Sequence, residues 1–346
     1  MQTERPLLTI AIPTFNRAGY LKELLSTLFD QLVAEPRVEL LISDNASPDE
    51  TPAVVQSFAG RGLPVRYLRN ETNIGSDANF KQCFEQAHGK YLWLFGDDDI
   101  IVPGGIAKLL PLLASEDYAL VYLSPYPFRH DYLAERTRDR FRRFAQTAPD
   151  GVQFARKVGT TMAFISAMIV NKDSYRSTEH VNLADFVGSN LVHLGWVLPV
   201  LRSGGTNLLV WEKLVAARGG NSGGWGICRV FGDSLKRVID LTLPDRKDIG
   251  TEIVNSTLKN WFPLMVMEVR RGTAGPLEAE NMRDGLESIH RKNWRYWIYV
   301  FPVITFPYTL ARLWYSLTKY VSRSERLLSM VLSYPVWRKN LIWRQR

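Results

Sequence analysis

Five short apolar runs punctuate the first 125 residues: LLTIAIP (Leu7–Pro13), VELLIS (Val38–Ser43), VRYL (Val65–Leu68), YLWLF (Tyr91–Phe95) and ALVYL (Ala119–Leu123). Each is continuous rather than alternating, which is the pattern of strands buried on both faces. Helical periodicity lies between them. One helix is expected from near Asn16, with Leu21, Leu24, Leu25 and Leu28 on one face. A second is expected to start at SPDE, with Ser47 as N-cap, Pro48 at the first helical position and Glu50 closing a capping box. A third runs from about Ser76 to Ala87 and is expected to stop at Gly89. Strands alternating with helices at this spacing predict a parallel α/β sheet with right-handed crossovers.

The pattern breaks from about Tyr126 to Pro149, where FRHDYLAERTRDRFRRF predicts a solvated helix or loop. A strand-like run resumes at MAFISAMIV (Met162–Val170), and the text turns helical after Asp233. Tyr296–Leu317 is mostly apolar but is interrupted by Pro302, Pro307 and Arg312.

Ligands of an open parallel sheet bind beyond the carboxyl ends of its strands. The segments just past the first four runs are PTFNR (Pro13–Arg17), SDNAS (Ser43–Ser47), RNETNIG (Arg69–Gly75) and GDDD (Gly96–Asp99), and they should converge on one rim. No G-x-G-x-x-G follows the first run, and no G-x-x-x-x-G-K-[ST] occurs anywhere. A nucleotide bound here would need another partner for its phosphates. A divalent cation, Mg²⁺ or Mn²⁺, is the natural substitute, because it bridges carboxylates to diphosphate oxygens. The plainer reading of the aspartates is an acidic turn.

These segments carry a resemblance. IAIPTFNRAGYLKELLSTL, LLISDNASPDET and NIGSDANFKQCFEQAHGKYLWLFGDDDIIVPGG are similar to the family 2 glycosyltransferases of GT-A fold. The GDDD form and FISAMIVNKDSY look most like abequosyltransferase-type members, which add sugars to O-antigen repeat units on a lipid carrier. The likeness is close over residues 7–125 and loose to about 230. It implies a Rossmann-like α/β fold, with a mostly parallel central sheet flanked by helices and a helical C-terminal extension. Residues 1–232 would be the transferase domain, with a nucleotide-binding half (7–125) and an acceptor half (126–232). Residues 233–346 would be the extension.

The resemblance also implies roles. Pro13, Thr14, Phe15 and Arg17 match the first-strand loop around the donor nucleotide. Asp44 matches the aspartate that reads the base edge, with Asn45 and Ser47 as neighbours, and Asn73 and Gly75 match the N-x-G of the nucleotide pocket. The aspartate run matches the D-x-D region, with one departure: Gly96 falls on the first aspartate. Asp98 is then the favoured metal ligand, Asp97 faces the ribose, and Asp99 supports either. Inverting transfer needs a general base on the acceptor hydroxyl. The family's E-D pair is missing from ADFVGSNLVHLGW, where Asp185 and His193 remain as candidates. Their plainer readings are a helix cap and a half-buried helix histidine. RGGNSGGWG (Arg218–Gly226) reads as a flexible lid or a glycine-rich turn, with Arg218 available to the diphosphate.

Composition adds a compartment and a surface. The chain has 346 residues, of which 46% are hydrophobic, enough for a full core. Two cysteines in no metal or C-x-x-C spacing point to a reducing compartment. MQTERPLLTIAIP lacks the features of a signal peptide, so a cytoplasmic protein is expected. The net charge is +8, and from Arg291 to Arg346 the cations face only Glu325, among many tryptophans and tyrosines. Such a tail suits an anionic surface. Three readings stand for it: a membrane span, an interfacial layer or a packed helical layer. The interfacial reading places the protein peripherally on the inner face of the cytoplasmic membrane, near a polyprenyl-diphosphate acceptor. Two other classes are a nucleic-acid-binding protein and a metal-dependent nucleotidyltransferase. An acidic rim opposes nucleic acid, and PTFNR stands where a nucleotidyltransferase would carry a glycine-rich basic loop.

Overall fold

In a computed structural model the apolar runs become strands; the structure describes residues 5–137, 144–179, 181–220 and 224–332. Strands β1 (Leu8–Thr14), β2 (Val38–Asp44), β3 (Val65–Arg69) and β4 (Tyr91–Leu94) alternate with helices α1 (Ala18–Leu32), α2 (Thr51–Gly60) and α3 (Ser76–Gln86). They form a parallel block in the order β3-β2-β1-β4. Every residue of β1 is buried, because helices cover both faces. Ile10 and Ile12 face one core layer, with Leu21, Leu24, Leu25 and Leu28 of α1; Ala11 faces the other, with Cys83 and Phe84 of α3.

Beyond β4 the sheet becomes mixed. β5 (Ile100–Ile101) precedes helix α4 (Gly105–Ser115), which leads to β6 (Leu120–Phe128). β7 (Ala145–Ala148), α5 (Gly151–Val158), β8 (Met168–Asn171), α6 (Lys172–Arg176), α7 (Leu194–Ser203) and β9 (Asn207–Arg218) follow. β8 inserts antiparallel between β4 and β6, and β9 runs parallel to β6. β5 and β7 pair antiparallel with β9.

Four local expectations change. The capping box at Ser47 does not form: α2 starts at Thr51, and the Ser47 hydroxyl accepts from the Asn16 amide at 2.9 Å. Asp49 takes over locally, accepting from the Thr51 amide and hydroxyl. Gly89 is no helix cap; a Cβ there would lie 2.6 Å from the Thr9 amide nitrogen, so it serves the close approach to β1. The expected break at Tyr126 comes later, since β9 holds β6 in register through Phe128↔Arg218 after a bulge between Leu123 and Pro125. Met162–Ala167 lies in short 3₁₀ turns, and only Met168 onward is strand.

The C-terminal region adds α8 (Leu235–Thr242), α9 (Lys247–Ser256), α10 (Phe262–Arg271), α11 (Met282–His290), α12 (Phe301–Thr305) and α13 (Tyr308–Leu332). The core does not divide at residue 232: Val238, Ile239, Ile249 and Ile253 pack in one cluster with Phe154 and Leu201. Tyr296, Tyr299 and Val300 are buried against Phe262 and Leu286, while Trp297 and Ile298 between them are exposed. Among the described residues no helix is long and apolar enough to cross a membrane. The tail from residue 333 on lies outside the described residues.

Candidate functional site

The C-terminal ends of β1 and β4 open onto a cleft of about 680 Å³, a size that suits a small-molecule ligand. Pro13, Thr14, Phe15 and Arg17 line it from β1 and the following loop, and Gly96, Asp97 and Asp98 from the turn after β4. Ser76, Asp77 and Phe80 enter from the N-terminal part of α3. Phe15 is 41% exposed on the rim.

The three aspartates have three different environments. Asp98 faces the cleft, its side chain 15% exposed, with one carboxylate oxygen 3.3 Å from the Arg17 guanidinium. Asp97 is buried; its Oδ2 accepts from the Thr14 hydroxyl at 2.7 Å and its Oδ1 from Arg17 at 3.1 Å. Burial pushes its carboxyl up to about 6, against the pull of Arg17, with Asp98 adding repulsion. Asp99 turns inward, away from the cleft. Its oxygens accept from the Ser166 hydroxyl at 2.5 Å and the Arg218 amide at 2.9 Å. Burial first, and the Asp98 charge second, raise its carboxyl well above the usual range. Asp99, expected to support either the metal or the ribose, is held by Ser166 and the Arg218 amide and does not line the cleft.

Gly96 has a steric reason. A Cβ there would sit 3.0 Å from Asp99 Oδ2, 3.1 Å from Asp98 Oδ1 and 3.3 Å from Ser166 Oγ. The Gly96 amide also donates to that same Ser166 hydroxyl. A side chain at this position would crowd those three oxygens, which would have to give by a few tenths of an ångström.

Asp97 and Asp98 are the groups that would hold a hard divalent cation. Among the described residues no cluster of three or more His, Cys, Asp or Glu forms an all-protein cage. Two adjacent carboxylates instead fit Mg²⁺ or Mn²⁺, which take one or two protein carboxylates and complete their shell with phosphate oxygens and water. The Arg17 guanidinium already balances the charge at this point.

Other expected residues lie apart. Asp44 is fully buried and is not part of the cleft lining; it accepts from the Tyr67 hydroxyl at 2.6 Å and the Ser47 amide at 2.8 Å, and pairs with Arg69. Asn45 joins Asn73 and the Gly75 carbonyl in a knot that shapes the neighbouring loop, off the cleft wall. Arg218 is corrected: its guanidinium pairs with Glu23 at 2.6 Å and lies over the Phe128 and Tyr20 rings, and its Nε donates to the Asp98 carbonyl. It braces the aspartate turn and does not line the cleft. The rest of the lid segment is described only in part, since 221–223 lie outside the described residues.

Asp185 is also corrected as a cleft residue. It is exposed on a 3₁₀ turn (Leu183–Phe186), beside a separate shallow depression with Lys236 and Asp240. His193 does line the cleft. Its Nε2 lies 2.9 Å from the Ala163 carbonyl, and its Nδ1 has no partner. Burial lowers it to about 4, so the ring is neutral at neutral pH. Asp77 is the group that position-by-position reading passed over. It accepts from the amides of Asn190 and Val192, anchoring the loop that carries His193. The available signal was an acidic residue in the first turn of a helix that follows a rim segment.

The far wall is aromatic and comes partly from the C-terminal region. Trp225, Phe231 and Trp261 line it together with Met265. Phe231 and Trp261 stack at 3.7 Å between centroids, and Trp225 lies nearly parallel to Trp261 at 6.2 Å. Nothing in local periodicity marks residues so far apart as one surface.

A family model described as glycosyl transferase family 2 matches residues 9–177. Abequosyltransferase RfbV of Salmonella typhimurium is 30% identical over 228 residues, covering 62% of this chain and 67% of that protein. The GalNAc(5)-diNAcBac-PP-undecaprenol beta-1,3-glucosyltransferase of Campylobacter jejuni is 30% identical over 118 residues, 34% of this chain and 37% of that one. Among solved structures, S. aureus TarS 1-349 in complex with UDP-GlcNAc aligns with a TM-score of 0.57 at 14% identity, over 92% of each chain. The mannosyltransferase PcManGT of Pyrobaculum calidifontis, in complex with GDP-Man and Mn²⁺, aligns at 0.53 with 13% identity, over 99% of this chain and 89% of that one. At these identities the two structures speak for the fold alone.

Proposed function

The chain belongs to glycosyl transferase family 2, and from that premise we propose that it transfers a sugar, with inversion, from a nucleotide-sugar donor to a lipid-linked glycan. The acceptor class is a repeat unit on a polyprenyl diphosphate, in keeping with what the name of the Campylobacter jejuni relative describes. One observation carries the reading: Asp97 and Asp98 meet Thr14, Phe15 and Arg17 in one cleft at the ends of parallel strands.

Asp98 is the favoured ligand for a divalent cation, with the Arg17-facing oxygen of Asp97 beside it. A cation there would neutralise charge on the departing nucleoside diphosphate. Arg17 supplies a second positive charge at the same place. Phe15 offers its exposed face to the base, while Asp44 acts through Tyr67 and the loops it ties together. The aromatic wall of Trp225, Phe231 and Trp261 presents flat apolar surface to the acceptor. Of the two residues weighed as base, His193 is the one in the cleft. Its ring is buried and neutral and its Nε2 is tied to the Ala163 carbonyl, so it shapes the cleft wall rather than taking the acceptor's proton.

Thermal-shift measurement with nucleoside diphosphates tests the donor half. We expect one nucleoside diphosphate to raise the melting temperature with Mn²⁺ or Mg²⁺ present, and little without the metal, because a ligand of the folded state stabilises it. No shift with any nucleotide would overturn the reading.

The membrane half rests on α13. Ala311, Tyr315 and Thr318 turn inward and are buried. Leu310, Leu313, Leu317 and Tyr320 lie on the opposite side, 53–69% exposed. This second apolar stripe suits a bilayer interface, as do the nearby exposed Trp297 and Ile298. Replacing Leu310, Leu313 and Leu317 with Glu is expected to lower partitioning onto anionic vesicles at least tenfold in a sedimentation assay, with the fold intact. Unchanged partitioning would place the contact elsewhere.

A further inference from the structure

A second cavity, of about 720 Å³, lies between α8, α9 and residues 289–294. Its walls are mostly apolar, with Leu235, Ile239, Leu243, Val254 and Trp294 in the lining, and Thr251, Asn255 and Thr257 add polar groups. Its rim is basic. Lys236 there is paired with Asp240, while the exposed Lys247 and Lys292 have no carboxylate partner among the described residues. Buried His290 lines the cavity and leaves its Nε2 without a hydrogen-bond partner. An apolar interior with a cationic rim fits an amphiphile that has a hydrocarbon chain and an anionic head.

Two continuities narrow the occupant. Phe231 lines both this cavity and the reaction cleft, so the two spaces adjoin at that side chain. Trp294 lines the cavity and is itself 50% exposed, beside Trp297 and Ile298 on the outer face. A chain rising from a bilayer at that face would reach the cavity before the cleft. Resting on the transferase reading above, we propose that this cavity holds the phosphate-proximal isoprene units of the acceptor lipid. Lys247 and Lys292 take its phosphate, and the sugar it bears reaches around Phe231 to the aromatic wall.

The test uses the full chain and farnesyl diphosphate, a soluble prenyl diphosphate, by titration calorimetry below its micelle concentration. We expect saturable binding, with inorganic diphosphate and farnesol each at least tenfold weaker. The double variant Lys247→Glu, Lys292→Glu reverses two exposed charges, and Ile239→Trp fills the interior; each should weaken binding at least tenfold. Equal affinity in both variants, or equal binding of inorganic diphosphate, would overturn the proposal. Nucleoside diphosphate shifts read on the same samples separate the two failures. A normal nucleotide shift without prenyl binding removes the lipid site and leaves the transferase reading standing.

Discussion

Replacing Asp98 with Asn is expected to lower sugar transfer by about 10²–10³-fold and to leave the melting temperature unchanged or slightly raised. The activity loss follows from removing the more exposed of the two carboxylates that line the cleft. The stability follows from the same geometry. Asp98 is partly exposed, and its charge raises the cost of ionising both Asp97 and Asp99. Taking that charge away relieves repulsion, and Arg17 keeps Asp97 as its partner. Turnover at several Mn²⁺ concentrations together with a melting curve checks both halves. Metal-dependent turnover at the wild-type level would remove Asp98 from the ligands.

Restoring the carboxylate that the family pattern suggests is expected to do harm. Gly96→Asp should destabilise the protein by about 2 kcal/mol or more and should not raise turnover. The new Cβ would press on Asp99 Oδ2, which cannot retreat because Ser166 and the Arg218 amide hold that carboxylate from behind. A fourth acidic group would add to a site where burial already strains two. Gly96→Ala carries the steric part alone, so the difference between the two variants isolates the charge. Urea midpoints at constant m-value measure both. A stable and more active Asp variant would mean that the turn can swing outward into the cleft.

The parallel block was legible because burial on both faces leaves a local mark. LLTIAIP, VELLIS and YLWLF are continuous apolar runs, and they became β1, β2 and β4 with their polar exits on one rim. The periodicity of Leu21, Leu24, Leu25 and Leu28 likewise fixed one face of α1. The antiparallel insertion of β8 was not legible, since a four-residue apolar run carries no record of its neighbours or direction. Ser47 shows the limit at a finer scale. A capping motif is only an offer of hydrogen bonds, and Asn16 from another loop accepted it first.

The sequence by itself determined that carboxylates would stand at the end of a buried strand, next to the first-strand loop, and that the C-terminal region would be helical, basic and aromatic. Local order and apolar period suffice for that. Only the tertiary structure decided what each carboxylate does. Asp98 faces the cleft, Asp97 is shared by Thr14 and Arg17, and Asp99 is consumed by Ser166 and by Arg218 from 119 positions away. Tertiary structure also joined Trp225, Phe231 and Trp261 into one wall and moved Asp185 off the cleft. The physical reason is the same in each case. A polar group's availability depends on whether a distant partner has already satisfied it, and such partners meet only when the chain folds.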